Sequence, residues 1–186
     1  LVGTQMLAKG LDLPLVTLVG VVLADVGLSL EDYRAGERTF QLLTQVAGRA
    51  GRSPLGGKVI LQTFQPEHYA IQAAALHDYE GFYRKELEMR RMIGYPPFSR
   101  LVRMEIRKAK PGEAEAEAGK MAEKLESWIS EDGSVVDIIG PAPCFFPRQN
   151  SLYRWQIVLR GTNPAALLAG RGLGEWRVEV DPASLL

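Results

Sequence analysis

Residues 135–160, VVDIIGPAPCFFPRQNSLYRWQIVLR, hold two apolar runs with no helical pattern between them. Residues 135–140 and 152–160 therefore read as two strands in succession. Upstream, residues 100–108 (RLVRMEIRK) read as another strand and residues 112–131 as a helix. Downstream, residues 163–171 read as a second helix and residues 175–181 as a last strand. The order βαββαβ predicts a split, ferredoxin-like arrangement for residues 98–186. In the 112–131 helix, Met121, Leu125, Trp128 and Ile129 recur at steps of three and four among Glu and Ala. That spacing turns one apolar side inward and leaves an acidic side in water.

The first 64 residues follow a different rhythm. LVGT (1–4) reads as a strand end, VTLVGVVLAD (16–25) as a buried strand, AGERTFQLLTQVAGRA (35–50) as a helix and GKVILQTF (57–64) as another strand. Apolar strands alternating with a helix predict a parallel sheet covered on its faces. Residues 65–97 read as largely helical: Pro66 and Glu67 suit a first turn, and YPPF (95–98) stops the helix. The expected organisation is thus three parts, 1–64, 65–97 and 98–186, in the α/β class.

Composition narrows the function classes. A chain of 186 residues can bury a core in one domain or in two small ones. With 46% hydrophobic and 24% charged residues, it belongs with soluble globular proteins. Lys plus Arg equals Asp plus Glu, 22 each, so no overall field marks a nucleic-acid binder. Locally the balance shifts: residues 65–110 carry nine basic and six acidic residues, residues 111–133 two and seven. Arg84, Lys85, Arg90 and Arg91 fit one helix side, which suits either a phosphate-binding surface or a solvated face. One cysteine, Cys144, leaves no internal disulfide and fits a reducing cytoplasm. One Cys and two His are too few for a tetrahedral Cys/His zinc site, so no metal is expected within the chain. Cys144 reads as an apolar filler, and His68 and His77 as surface or helix-packing residues. No apolar run reaches the roughly 20 residues of a membrane helix. The apolar start at Leu1 reads as the middle of a longer protein.

Two stretches carry candidate chemistry. In TQVAGRAGRS (44–53), Arg49 and Arg52 lie on nearly one face of a helix, and Gly48 and Gly51 allow close approach. Two guanidiniums so placed make a fork for phosphate oxygens. A helix C-terminus also favours Gly and Arg, but capping needs neither two arginines nor the upstream Gln45. In VGTQMLAKGLDLP (2–14), Gly3, Thr4, Gln5, Lys9, Gly10 and Asp12 offer donors at the carboxyl edge of a parallel sheet, where ligands bind in such folds. Tyr153 and Trp155 share one strand face, placed to pack in a core or, with Phe145 or Phe146, to stack bases.

These two stretches resemble motifs V and VI of superfamily 2 helicases. HDYEGFYRKELEMRRMIGYPPFSRLVRMEI (77–106), IIGPAPCFFPRQNSLYRWQIVLRG (138–161) and Val180-Asp181-Pro182 resemble the C-terminal part of the PriA family, the primosomal replication-restart DNA helicases. The resemblance covers nearly the whole chain. It implies part of a RecA-like, parallel-sheet helicase lobe, followed by the ferredoxin-like C-terminal domain. It implies that Gln45, Arg49 and Arg52 are catalytic, the arginines reaching the γ-phosphate of ATP held on the other lobe. By the same resemblance, Gly3, Thr4, Gln5, Lys9, Gly10 and Asp12 touch the DNA backbone and relay the nucleotide state. Arg90, Arg91, Tyr153, Arg154, Trp155 and Gln156 would contact DNA or partners. The chain departs from some relatives at Asp12, and at Leu152, where they are basic.

The resemblance further implies ATP and Mg in the intact parent, and zinc upstream of Leu1. The implied partners are branched and single-stranded DNA, single-stranded DNA-binding protein and other primosome proteins, in the cytoplasm and without a membrane. The chain holds no G-x-x-x-x-G-K-[ST] P-loop and no acidic metal motif after a strand, so the fragment alone is expected to hydrolyse no ATP. The alternative is a parent that kept the fold as a non-catalytic DNA- and protein-binding scaffold.

Overall fold

Residues Leu18–Val21 (β1) and Lys58–Leu61 (β2) pair in parallel, with Val19 opposite Val59 and Val21 opposite Leu61. The computed structural model describes residues 2–3, 16–50 and 57–186, with the backbone alone at Arg49. The chain divides into two compact units, Leu1–Met89 and Arg90–Leu186.

In the first unit, helix α1 (Ala35–Ala50) follows the buried Asp32. The Asp32 carboxylate accepts from the Arg34 amide at 2.8 Å and from Arg38 Nη1 at 3.1 Å. An acid at that end of a helix complements its dipole. Phe40 and Leu43, three residues apart, face a core with Ala70, Ile71, Ala74 and Phe82. The Phe40 and Phe82 rings stack at 4.1 Å, and burying each such side chain stabilises by about 1.5–3 kcal/mol. Helix α2 (Tyr69–Leu76) is capped by the two histidines: His68 Nδ1 accepts from the Ala70 amide, and His77 closes the helix in the left-handed conformation. The next helix, α3 (Tyr79–Ile93), starts where Asp78 Oδ1 accepts from the Gly81 amide at 2.8 Å. The division between the units falls within it.

The expectation of a buried strand over 16–25 is corrected here. β1 is four residues long and alternates exposed with half-buried positions. Among the described residues, α1 lies against one face of the β1–β2 pair. On the other face, Leu18 is 60% and Ile60 51% exposed.

The second unit is a four-stranded antiparallel sheet of β3 (Arg100–Lys108), β4 (Val136–Gln149), β5 (Leu152–Gly161) and β6 (Arg177–Val180), in the spatial order β4-β5-β3-β6. Helix α4 (Pro111–Asp132) connects β3 to β4, with β5 lying between those two strands. This is the split arrangement the βαββαβ order predicts. α4 buries Ala114, Ala118, Met121, Ala122 and Leu125. Met121, Ala122 and Leu125 pack with Val102, Met104, Ile157 and Leu159 of the two central strands. The small Ala114 and Ala118 allow close approach to the sheet.

Two boundaries differ from expectation. Residues 163–171 form a single 3₁₀ turn, Ala166–Leu168, instead of a helix. Gly170 takes positive φ there and Gly174 just beyond it, which breaks a helix, while Leu167 and Leu168 still dock in the core. The strand expected to end at 140 runs on to Gln149 through Pro141, Pro143 and Pro147. β4 is a sheet edge, where a residue without an amide proton is tolerated.

Candidate functional site

Several sequence candidates lie outside the described residues: Thr4, Gln5, Lys9, Gly10, Asp12 and Arg52, and the side chain of Arg49. Gly3 is described and exposed. Gln45 is exposed on α1, and the Arg49 backbone lies in the last turn of that helix.

Arg90 and Arg91 sit at the end of α3, where Gly94 takes φ +64°. Arg90 Nη1 donates to the Pro96 carbonyl at 3.4 Å. The Arg91 guanidinium lies 4.8 Å from the centre of the Phe98 ring. A third arginine, Arg160 of β5, stacks over Tyr95 and donates to the Ile93 carbonyl at 2.6 Å and to Asp137 at 2.9–3.1 Å. Arg160 thus ties Ile93 and Tyr95 to the sheet, while Arg90 and Arg91 hold Pro96 and Phe98 against the end of α3.

The charges concentrate on the sheet face away from α4. Strand alternation puts Val102, Met104 and Ile157 on the α4 side and Arg103, Glu105, Arg107, Arg154 and Gln156 on the other. At the centre is Glu105, 5% exposed. Arg154 grips it with two bonds of 2.9 Å, Arg103 Nη2 donates at 2.7 Å and Arg107 Nε donates to its other oxygen. Burial alone would push the Glu105 carboxyl up; the bonds from Arg154, Arg107 and Arg103 outweigh it and hold the group at about 2. Arg103 also reaches the main-chain oxygen of Leu186 at 3.0 Å and lies 3.9 Å from Glu179. The Cys144 thiol beside the cluster is pushed up, first by burial and then by the Glu105 charge.

The structure therefore separates the predicted residues of β5. Arg154 is 6% exposed and committed to Glu105. Gln156 is half-buried on the same face, and its Oε1 is buried without a hydrogen-bond partner. Tyr153 and Trp155 are half-buried on the α4 side, and Arg148 lies 5.4 Å from the Tyr153 ring centre. Glu105, Arg103 and Arg107 did not emerge as a site from the sequence. Their signal was available: charges at every second position through the apolar middle of the strand, 103, 105 and 107, point to one face.

One further feature is built on this cluster. Pro143 pairs with Trp155 and Arg148 with Tyr153, so four residues of β4, Cys144 to Pro147, bulge out opposite Arg154 alone. Arg154 Nη1 donates to the Phe146 carbonyl at 3.3 Å, and Cys144 is buried. Among the described residues, no group of three or more His, Cys, Asp or Glu is placed to hold a metal, and no helix is long and apolar enough to cross a membrane.

Comparison with known proteins places this unit. A family profile described as the primosomal protein N C-terminal domain matches residues 91–183. The chain is 46% identical over 160 residues to the replication restart protein PriA of Synechocystis, covering 86% of this chain and 19% of that protein. It is 46% identical over 161 residues to the PriA of Bacillus subtilis, covering 86% and 20%. Over its full length it is 40% identical to the PriA of Treponema pallidum, 29% of which it spans. The chain thus spans between about a fifth and under a third of these relatives.

Proposed function

Because this chain belongs to the PriA family and carries its C-terminal domain, we propose that it is the C-terminal part of an ATP-dependent 3′→5′ DNA helicase that restarts stalled replication forks and begins primosome assembly. The observation that carries this reading is the continuous similarity to replication restart proteins along the whole chain. The residues of the Gly-Arg stretch, Gln45-x-x-Gly-Arg-x-Gly-Arg, support its catalytic half. Arg49 and Arg52 stabilise charge on a γ-phosphoryl group presented by another lobe, with ATP and Mg bound there. Positioned positive charge does most of the work in that reaction. Gly3, Thr4, Gln5, Lys9, Gly10 and Asp12 relay the nucleotide state to DNA. The second unit faces branched or single-stranded DNA, single-stranded DNA-binding protein and other primosome proteins. Zinc belongs to the parent upstream of Leu1, and the parent works in the cytoplasm.

The test is Arg52→Ala in the full-length parent. An arginine finger is worth on the order of 10³–10⁵ in turnover, or about 4–7 kcal/mol of barrier. DNA-stimulated ATPase is expected to fall by that order, with kcat dropping far more than KM rises and DNA affinity kept. A variant that melts a few degrees lower while keeping its turnover would identify the arginine as a helix cap and refute the finger.

A further inference from the structure

Among the residues expected to meet DNA or partners in the second unit, three already have partners within it: Arg154 is buried on Glu105, Arg90 donates to the Pro96 carbonyl, and Arg91, itself exposed, lies over Phe98. The bulge of β4 does the opposite. Phe145 and Phe146 stand out of the edge strand, 37% and 59% exposed, with their ring centres 4.9 Å apart and nearly perpendicular. Their backbone is anchored from below by Arg154, itself locked to Glu105, and by the buried Cys144. Two apolar rings are thus held in water by a buried ionic network, on a support with little freedom to fold them away.

Along the sequence that carries the bulge the charge has one sign. From Ile138 to Gly174 there is no Asp or Glu, while Arg148, Arg154, Arg160 and Arg171 fall within that stretch. Three of the four are paired, with Glu105, Asp137 and Asp132. Arg148, exposed two residues beyond Phe146, makes no ion pair among the described residues and only lies over Tyr153. Exposed rings with an unpaired guanidinium two residues further along the strand suit a ligand with flat apolar faces and an anionic backbone. Unpaired bases on a phosphate chain have that chemistry, since every base offers a π-face to an aromatic platform. An apolar peptide would use the rings without needing the acid-free border.

We propose that the β4 bulge is a stacking platform for single-stranded nucleic acid, with Phe145 and Phe146 taking unpaired bases and Arg148 an adjacent phosphate. This rests on the reading that the second unit contacts DNA, and it moves that contact from the basic end of α3 and the strand β5 to the sheet edge.

The experiment uses the whole chain and two labelled probes followed by anisotropy: a dT 20-mer, and a 20-mer of abasic sites with the same phosphates. The chain is expected to bind the dT probe more tightly. The double variant Phe145→Ala/Phe146→Ala should lose about 5- to 150-fold on dT, the equivalent of one stacked base, and little on the abasic probe. Phe145→Tyr/Phe146→Tyr, which keeps the rings, should bind as the parent does. Arg148→Ala should flatten the salt dependence of log K by ~0.7, one single-strand phosphate contact. Equal binding of both probes, or a double alanine variant that binds dT unchanged, overturns the platform and leaves DNA contact by the unit standing. Binding of neither probe overturns both. A chain that self-associates through these rings, becoming monomeric in the double alanine variant with dT affinity unchanged, assigns the patch to a second copy and also overturns the proposal.

Discussion

Replacing Glu105 by Gln removes one negative charge from beneath three arginines and changes almost no volume. In the parent, Arg103, Arg107 and Arg154 converge on that carboxylate, and it is 5% exposed. Breaking a buried ion cluster from one side leaves uncompensated charge and costs about 3–5 kcal/mol. The proton affinity of Glu105 leads to the same scale. Glu105 is held at about 2 against an ordinary 4.5, and that difference corresponds to ~3 kcal/mol at ~1.36 kcal/mol for each pH unit between them. The sign follows from the folded form binding its proton later than the unfolded form. This stability is complete above pH 4.5 and drains away as pH falls toward 2. The assay is urea unfolding followed by tryptophan emission. All three tryptophans, Trp128, Trp155 and Trp176, lie in the second unit, so the signal reports that unit alone. Glu105→Gln should lower its stability at pH 7 by about 3–5 kcal/mol and should lose much of the parent's decline between pH 4.5 and 2. A variant within about 1 kcal/mol of the parent at pH 7, with the acid decline intact, would show that the cluster carries no such load.

Two further substitutions test the frame around the cluster by the same emission signal. Leu125→Ala empties a fully buried position beneath the sheet, and a loss of about 2–5 kcal/mol is expected. Gly140→Ala places a Cβ 3.0 Å from the Ala142 amide and the Gln156 carbonyl at φ +98°, so it should cost about 1–3 kcal/mol and loosen the first irregularity of β4. No measurable change in either would mean that the edge strand or the helix packs differently.

The strand order of the second unit was legible because β3 and β5 are long and apolar enough for period two to show. The run Val102, Met104, Ile106 meets Leu159, Ile157, Trp155 in register, and α4 supplies the matching stripe. The second crossover was not legible. The stretch PAALLA (164–169) is compatible with a helix, but Gly170, Gly172 and Gly174 follow it, and the glycines decide. β4 hid behind its prolines, which end a strand everywhere except at an edge, and the edge is known only once the sheet order is. The first unit was read as a covered sheet because its valines are continuous. Among the described residues β1 is four residues long and alternates exposed with half-buried positions.

The site was harder still, because sequence spacing fixes which residues share a face but not which face is wet. Tyr153, Trp155, Arg154 and Gln156 were grouped as one binding stretch, yet neighbours along a strand point to opposite sides. The register then puts Arg154 opposite Arg107, beside Glu105. Two like charges directly opposite each other repel, so that pairing is stable only with an acid between them, and Glu105 is the acid within reach. The same constraint turns Arg154 inward and frees its remaining nitrogen for the Phe146 carbonyl. The bulge opposite Arg154 thereby gains a fixed support, and Phe145 and Phe146 stay exposed at its crest. Arg154 thus sits one layer below the surface, fixed on Glu105 and bonded to the backbone of the exposed bulge.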